Sequence, residues 1–173
     1  DGYDDLLIGS LYADGTGAAY LIFGGNDLGF TDLSNFSDIT NGGTTEAVKI
    51  SGESSEDFFG SVAGIGDFDG DGYDDILVGA WGADTGGSKS GSSYVIYGRN
   101  DSETSLSNLD VESLTTDEGF ALHGDAAQDL SGFAVSSAGD FNGDGYNDLL
   151  ISADYDDAGG ENSGTSFLVF GGA

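Results

Sequence analysis

Nine consecutive residues, Asp67-Phe68-Asp69-Gly70-Asp71-Gly72-Tyr73-Asp74-Asp75, carry five carboxylates. Side chains of one sign at that density repel one another unless a cation sits among them. With Asp67 as position 1, aspartates at positions 1, 3 and 5 can turn their oxygens into a common hollow. Gly72 at position 6 permits a sharp turn, Tyr73 at position 7 offers a backbone carbonyl, and Asp75 at position 9 closes the loop. Such an all-oxygen set suits a hard cation, and calcium takes six to eight oxygen ligands in flexible geometry. An EF-hand would need a bidentate Glu at position 12, where this chain has Val78. The residues after Asp75, Ile76-Leu77-Val78, form a short apolar run that reads as a buried strand. The spacing predicts a calcium loop joining two strands.

The elements that hold this loop recur along the chain. Asp71-Gly72-Tyr73-Asp74-Asp75-Ile76-Leu77-Val78-Gly79-Ala80 is echoed by Asp1-Gly2-Tyr3-Asp4-Asp5-Leu6-Leu7-Ile8-Gly9-Ser10 and by Asp144-Gly145-Tyr146-Asn147-Asp148-Leu149-Leu150-Ile151-Ser152-Ala153. The copies start at residues 1, 71 and 144, so they lie 70 and 73 residues apart, and the first opens midway through its loop. Strands rich in small residues are predicted ahead of the loops, over 60–66 and 133–139, where glycine permits close backbone approach. Apolar strands follow the loops. Third strands are predicted over 18–24, 92–98 and 165–171, and fourth ones over 47–51 and 120–124. The polar inserts over 28–45 and 101–118 read as surface loops pinned by Leu33, Phe36, Leu106, Leu109, Val111 and Leu114, with room for a helical turn.

Four short strands per unit, repeated radially, is the pattern of β-propeller blades, and a period near 70 is too long for an ordinary solenoid. The fold class is therefore all-β, with about two and a half four-stranded antiparallel blades and ten strands in all. The chain reads as one propeller segment: a partial blade over 1–51, a complete one over 52–124 and a partial one over 125–173. Propellers begin to close at about four blades. This reading expects an incomplete ring, completed by other blades of a longer chain or by further copies.

Composition narrows the partners. The 173 residues hold 32 acids and 3 Lys or Arg, a formal net charge of -29. Nucleic acid and anionic membrane surfaces both require clustered bases, which this chain lacks. No run approaches the ~20 apolar residues of a membrane span, so no membrane insertion is expected. There is no Cys, which excludes disulfides and thiolate metal sites and leaves the metal loops as the staples. The 32 glycines favour short strands and turns.

No catalytic constellation stands out. His123 is the single histidine, on an expected outer strand with no carboxylate fixed beside it, so a triad has no base. Neither a nucleophile elbow, a Walker loop nor a His-based zinc motif occurs. The many carboxylates single out no glycosidase pair. Tyr12, Trp81 and Tyr155 follow the second strands at matching positions or within a residue or two, where they would either form a sugar- or protein-binding face or pack between blades. Asn35-Phe36-Ser37 and Asn100-Asp101-Ser102 fit the glycosylation sequon.

Phe59-Gly60 ahead of the loop and Gly79-Ala80-Trp81 after it, with the aspartate loop between, resemble the FG-GAP repeats of integrin alpha-subunit head propellers and their bacterial relatives. The likeness covers the whole chain. It departs from the family's pattern at Trp81, which stands for proline, at Gly132-Phe133, and at Gly9-Ser10-Leu11 and Ser152-Ala153-Asp154. The resemblance implies Ca2+ held by Asp67, Asp69, Asp71, the Tyr73 carbonyl and Asp75, and a second ion held by Asp140, Asn142, Asp144, the Tyr146 carbonyl and Asp148. Asn142 keeps an oxygen but drops a charge, so the second site should be weaker. Asp1, Tyr3 and Asp5 are the remnant of a further site, and Asp74 and Asn147 at position 8 are expected to point outward.

Together these readings describe a non-enzymatic calcium-binding propeller module of a secreted or cell-surface protein. It would serve adhesion, or act as a scaffold for a protein or glycan ligand through its loop faces. Two alternatives stay open: an accessory propeller domain of a secreted hydrolase or lyase, and a structural unit of an extracellular filament or layer.

Overall fold

The computed structural model describes residues 3–24, 47–99 and 109–173. Asp1, both sequon asparagines, the 28–45 insert and the first part of the second insert, with Leu106, lie outside the described residues. Eleven strands among the described residues form three sheets, with no closed barrel. The first sheet has the order β1 (Leu6–Ser10), β2 (Ala18–Ile22), β3 (Ala47–Ser51) and β7 (Leu109–Asp110). The second runs β4 (Phe59–Gly66), β5 (Asp75–Ala80), β6 (Ser92–Ile96) and β8 (Gly119–His123). The third contains β9 (Ser131–Gly139), β10 (Asp148–Ala153) and β11 (Thr165–Val169). The architecture is all-β, as the repeat of short strands implies, and the sheets are those of partial propeller blades.

Two features differ from the expected arrangement. The described residues hold eleven strands rather than ten, because Leu109 and Asp110 pair with Ile50 and Ser51 of β3. That pairing is parallel, so the first sheet is not wholly antiparallel. A single 3-10 turn, Val111–Ser113, follows β7, capped by Asp110 Oδ1 accepting from the Glu112 N–H at 3.1 Å.

Period-two alternation divides the apolar residues between two cores. Along β5, Val78 and Ala80 pack with Ala19, Val48 and Ile50 of the first sheet, while Leu77 points the other way to meet Leu149 and Ile151 of the third. Residues of β6 divide the same way: Tyr94 and Ile96 on one side, Val95 on the other. The middle sheet is thus buried on both faces, which explains its continuous apolar runs.

Neighbouring sheets touch at glycine. A Cβ at Gly9 would lie 1.7 Å from the Gly60 carbonyl oxygen, and one at Gly79 would lie 2.1 Å from that of Gly132. The segments linking the sheets bond to the preceding hairpins in a repeated pattern. Gly52 and Phe59 donate to the carbonyls of Gly17 and Thr16, and Gly124 and Ser131 donate to those of Gly91 and Ser90. These contacts fix how each sheet is set against the next and bring the acidic loops to one end of the strands.

Candidate metal centre

The loop between β4 and β5 is built by its own aspartates. Asp67 Oδ1 accepts from the Gly70 N–H at 2.7 Å and its Oδ2 from the Gly72 N–H at 3.1 Å. Asp69 Oδ1 accepts from the Asp71 N–H, and Asp71 Oδ1 from the Tyr73 N–H at 2.8 Å. Gly70 and Gly72 have φ of 82° and 94°, a left-handed backbone that L side chains disfavour. These turns gather ligand oxygens of Asp67, Asp69 and Asp71 within 4.8 Å of one another. Among the described residues the ion pairs are Lys49–Asp14 and Arg99–Glu118, so no basic side chain neutralises the cluster. Three converging carboxylates with no protein cation and only oxygen donors fit a hard divalent ion such as calcium.

Asp75 plays a second part. It is 1% exposed; its Oδ2 accepts from the Phe68 N–H and its Oδ1 from the Gly98 N–H, each at 2.7 Å. Burial pushes its carboxyl up to about 6, the two N–H donors oppose the shift, and Asp69 and Asp71 add to it. Asp75 therefore straps the loop to the start of β5 and to the segment after β6.

The loop between β9 and β10 repeats the plan. Asp140 accepts from the N–H groups of Gly143, Asp144 and Gly145, and Asp144 Oδ1 from that of Tyr146. Buried Asp148 accepts from Phe141 at 2.8 Å and Gly171 at 2.9 Å. Asn142 donates its amide to Asp144 Oδ2 at 2.8 Å, an internal bond that an aspartate there could not make. Of the partial site, Tyr3 and Asp5 are exposed, and Asp5 Oδ1 accepts from Gly24 as its equivalents do from Gly98 and Gly171.

One expectation is corrected. Asp74 is exposed, but Asn147, its equivalent, is half-buried and directed at the neighbouring loop. Its N–H donates to the Asp67 carbonyl at 3.0 Å, and a Cβ at Gly66 would meet its Nδ2 at 1.6 Å.

The other end of the strands carries a row of aromatics. Tyr12 meets Phe58 edge-on at 5.6 Å, Phe58 stacks on Trp81 at 4.1 Å and 5°, and Trp81 lies 6.0 Å from Phe133. The row crosses all three sheets, with Tyr12 76% exposed and Phe133 46% exposed. Tyr155 is exposed at the same end. Tyr12, Trp81 and Tyr155 are expected from their places after the second strands; Phe58 and Phe133 join them only through the fold. The signal for Phe133 was the reversed Gly132-Phe133 order: three residues of β9, 132–134, oppose Ser152 alone, and this bulge turns Phe133 outward. Beside the row, Glu53, Glu56, Asp57, Asp84 and Lys89 line a cleft of about 290 Å³. His123 Nδ1 lies 2.9 Å from Ser92 Oγ.

The FG-GAP repeat family matches residues 59–96 and 131–169, which take in β4 to β6 of the second sheet and β9 to β11 of the third, with the loops between them. A curated relative, phosphatidylinositol-glycan-specific phospholipase D of Rattus norvegicus, is 32% identical over 173 residues. The alignment covers 95% of this chain and 18% of that protein, so the chain spans less than a fifth of the relative's length. Among the described residues no helix is long and apolar enough to cross a membrane.

Proposed function

We propose that this chain, which carries FG-GAP repeats, is a calcium-stabilised propeller segment of a secreted or cell-surface protein, acting in adhesion or as an interaction scaffold rather than as an enzyme. The supporting observation is the clustering of Asp67, Asp69 and Asp71 oxygens in a loop whose hydrogen-bond plan recurs around Asp140 and Asp144. Bound calcium would supply positive charge that offsets the repulsion among these carboxylates. Asp67, Asp69, Asp71, the Tyr73 carbonyl and Asp75 would hold it in one loop, and Asp140, Asn142, Asp144, the Tyr146 carbonyl and Asp148 in the other. Asp75 and Asp148 would also anchor the loops to their sheets through the N–H groups they accept from. Extracellular calcium modules bind with Kd of roughly 0.1 to 1 mM, a range filled outside cells and not in cytosol, which favours export. The aromatic row at the far end is the surface offered to a protein or glycan. Calorimetric titration tests the metal reading: two equivalents of calcium are expected for the chain and one for Asp71→Ala. A variant that binds as much as the parent would refute the assignment.

The relative's name favours a second reading, an accessory propeller domain of a hydrolase. On that reading the chemistry lies in other parts of the parent protein, and these residues are expected to release nothing from a phosphatidylinositol-glycan substrate. Product release by this chain alone would place catalysis within it.

A further inference from the structure

We infer that the two metal loops form a coupled pair, in which Tyr146 and Asn147 of the later loop position the backbone of the earlier one. This rests on the calcium reading above and adds to it a dependence of one site on the other. Three contacts carry it. The Asn147 N–H donates to the carbonyl of Asp67, the first residue of the 67–75 loop, at 3.0 Å. Gly70 sits between Asp69 and Asp71, and a Cβ there would lie 2.3 Å from Cε1 of the Tyr146 ring, so the ring rests on the turn that aims both carboxylates. The Gly172 N–H donates to the Phe68 carbonyl at 2.9 Å. Residues 67, 68 and 70 of one loop are thus held by residues of the next repeat.

Tyr146 is in turn held by its own loop, since its N–H donates to Asp144 Oδ1 at 3.0 Å and it lies two residues before buried Asp148. A cation drawing Asp140, Asp144 and the Tyr146 carbonyl together fixes the Tyr146-Asn147 peptide, and that peptide is what Asp67 and Gly70 rest on. Ordering one loop therefore lowers the cost of ordering the other, and linkage makes the effect reciprocal. Tyr146 is a positioning residue for the 67–75 site: its side chain reaches the backbone of that loop, not its ligand atoms.

Calorimetric titration with calcium tests this in the chain and three variants. Asp144→Ala disables the later loop, Tyr146→Ala removes the ring but keeps the backbone carbonyl, and Tyr146→Phe keeps the ring. The 67–75 site is expected to weaken about fivefold or more in Asp144→Ala and in Tyr146→Ala, and to keep its affinity in Tyr146→Phe. In an Asp71→Ala background, which leaves the later loop alone, Tyr146→Ala should change affinity less than twofold. If Tyr146→Ala fails to fold, the comparison of the chain with Asp144→Ala decides. Equal affinity of the 67–75 site in the chain, Asp144→Ala and Tyr146→Ala would overturn the coupling and leave the calcium reading standing. Absence of binding at both loops would overturn both.

Discussion

The backbone N–H of Gly98 donates to Asp75 Oδ1 at 2.7 Å across 23 residues of sequence, and Gly171 makes the same bond to Asp148 at 2.9 Å. The segment after the third strand of the second and third sheets is thereby tied to the last residue of the acidic loop. Removing the carboxylate in Asp75→Ala leaves the N–H groups of Phe68 and Gly98 without their acceptor in a buried setting. Each orphaned donor costs about 1–3 kcal/mol, so a loss of about 3 kcal/mol in urea unfolding is expected even at saturating calcium. Asp75→Asn, which retains one acceptor oxygen, should lose less. Equal stability of Asp75→Ala and the parent would contradict the strap.

Sheet spacing depends on glycine at the close approaches. In Gly79→Ala the new methyl group meets the Gly132 carbonyl oxygen at 2.1 Å, and backbone on both sides leaves it nowhere to turn. Overpacking of this kind costs about 1–3 kcal/mol, seen as a lower urea midpoint with an unchanged slope. A midpoint equal to the parent's would show that the sheets separate freely.

Asp57 makes stability depend on pH. Burial holds its carboxyl above the usual range, the Ser54 N–H opposes this, and Glu53 and Asp84 add to it. A raised native value means that the folded state binds more protons than the unfolded one, from the ordinary Asp value of about 3.9 up to the native one. The contribution of Asp57 to stability is therefore greatest below that window and is lost as pH rises through it. Asp57→Asn keeps an oxygen for Ser54 and removes the ionisation. Its stability relative to the parent should rise between pH 4 and pH 7 in calcium-free buffer. A constant difference would mean that Asp57 titrates normally.

Local pattern carried most of the fold. The Leu/Ile/Val runs after each loop, and their recurrence at fixed phase, marked β1, β5 and β10 and their hairpin partners. β7 escaped because two residues in a polar insert, Leu109 and Asp110, pair with Ile50 and Ser51 about 60 positions earlier, and nothing in their own neighbourhood encodes that. Asn147 was misread for the same reason: loop geometry alone sends position 8 outward, and only the arrival of Asp67 from the previous sheet turns it in. The role of Asp57 was legible in principle, since Asp57-Phe58 and Asp129-Leu130 recur ahead of β4 and β9 and both aspartates are buried. The signal lay in the turn before the strand rather than in the loop after it.

Thermal melting with and without a calcium chelator most directly tests whether these aspartates grip a divalent ion that pins adjacent strands. Binding to the folded state alone adds about 2.7 kcal/mol per site at a hundredfold excess over Kd. For a domain of this size each such increment raises Tm by about 5–10 °C. The chain is expected to melt well below its calcium-loaded value once chelator is added, with Asp71→Ala showing a smaller drop. Melting curves that superimpose with millimolar calcium and with chelator would contradict the account.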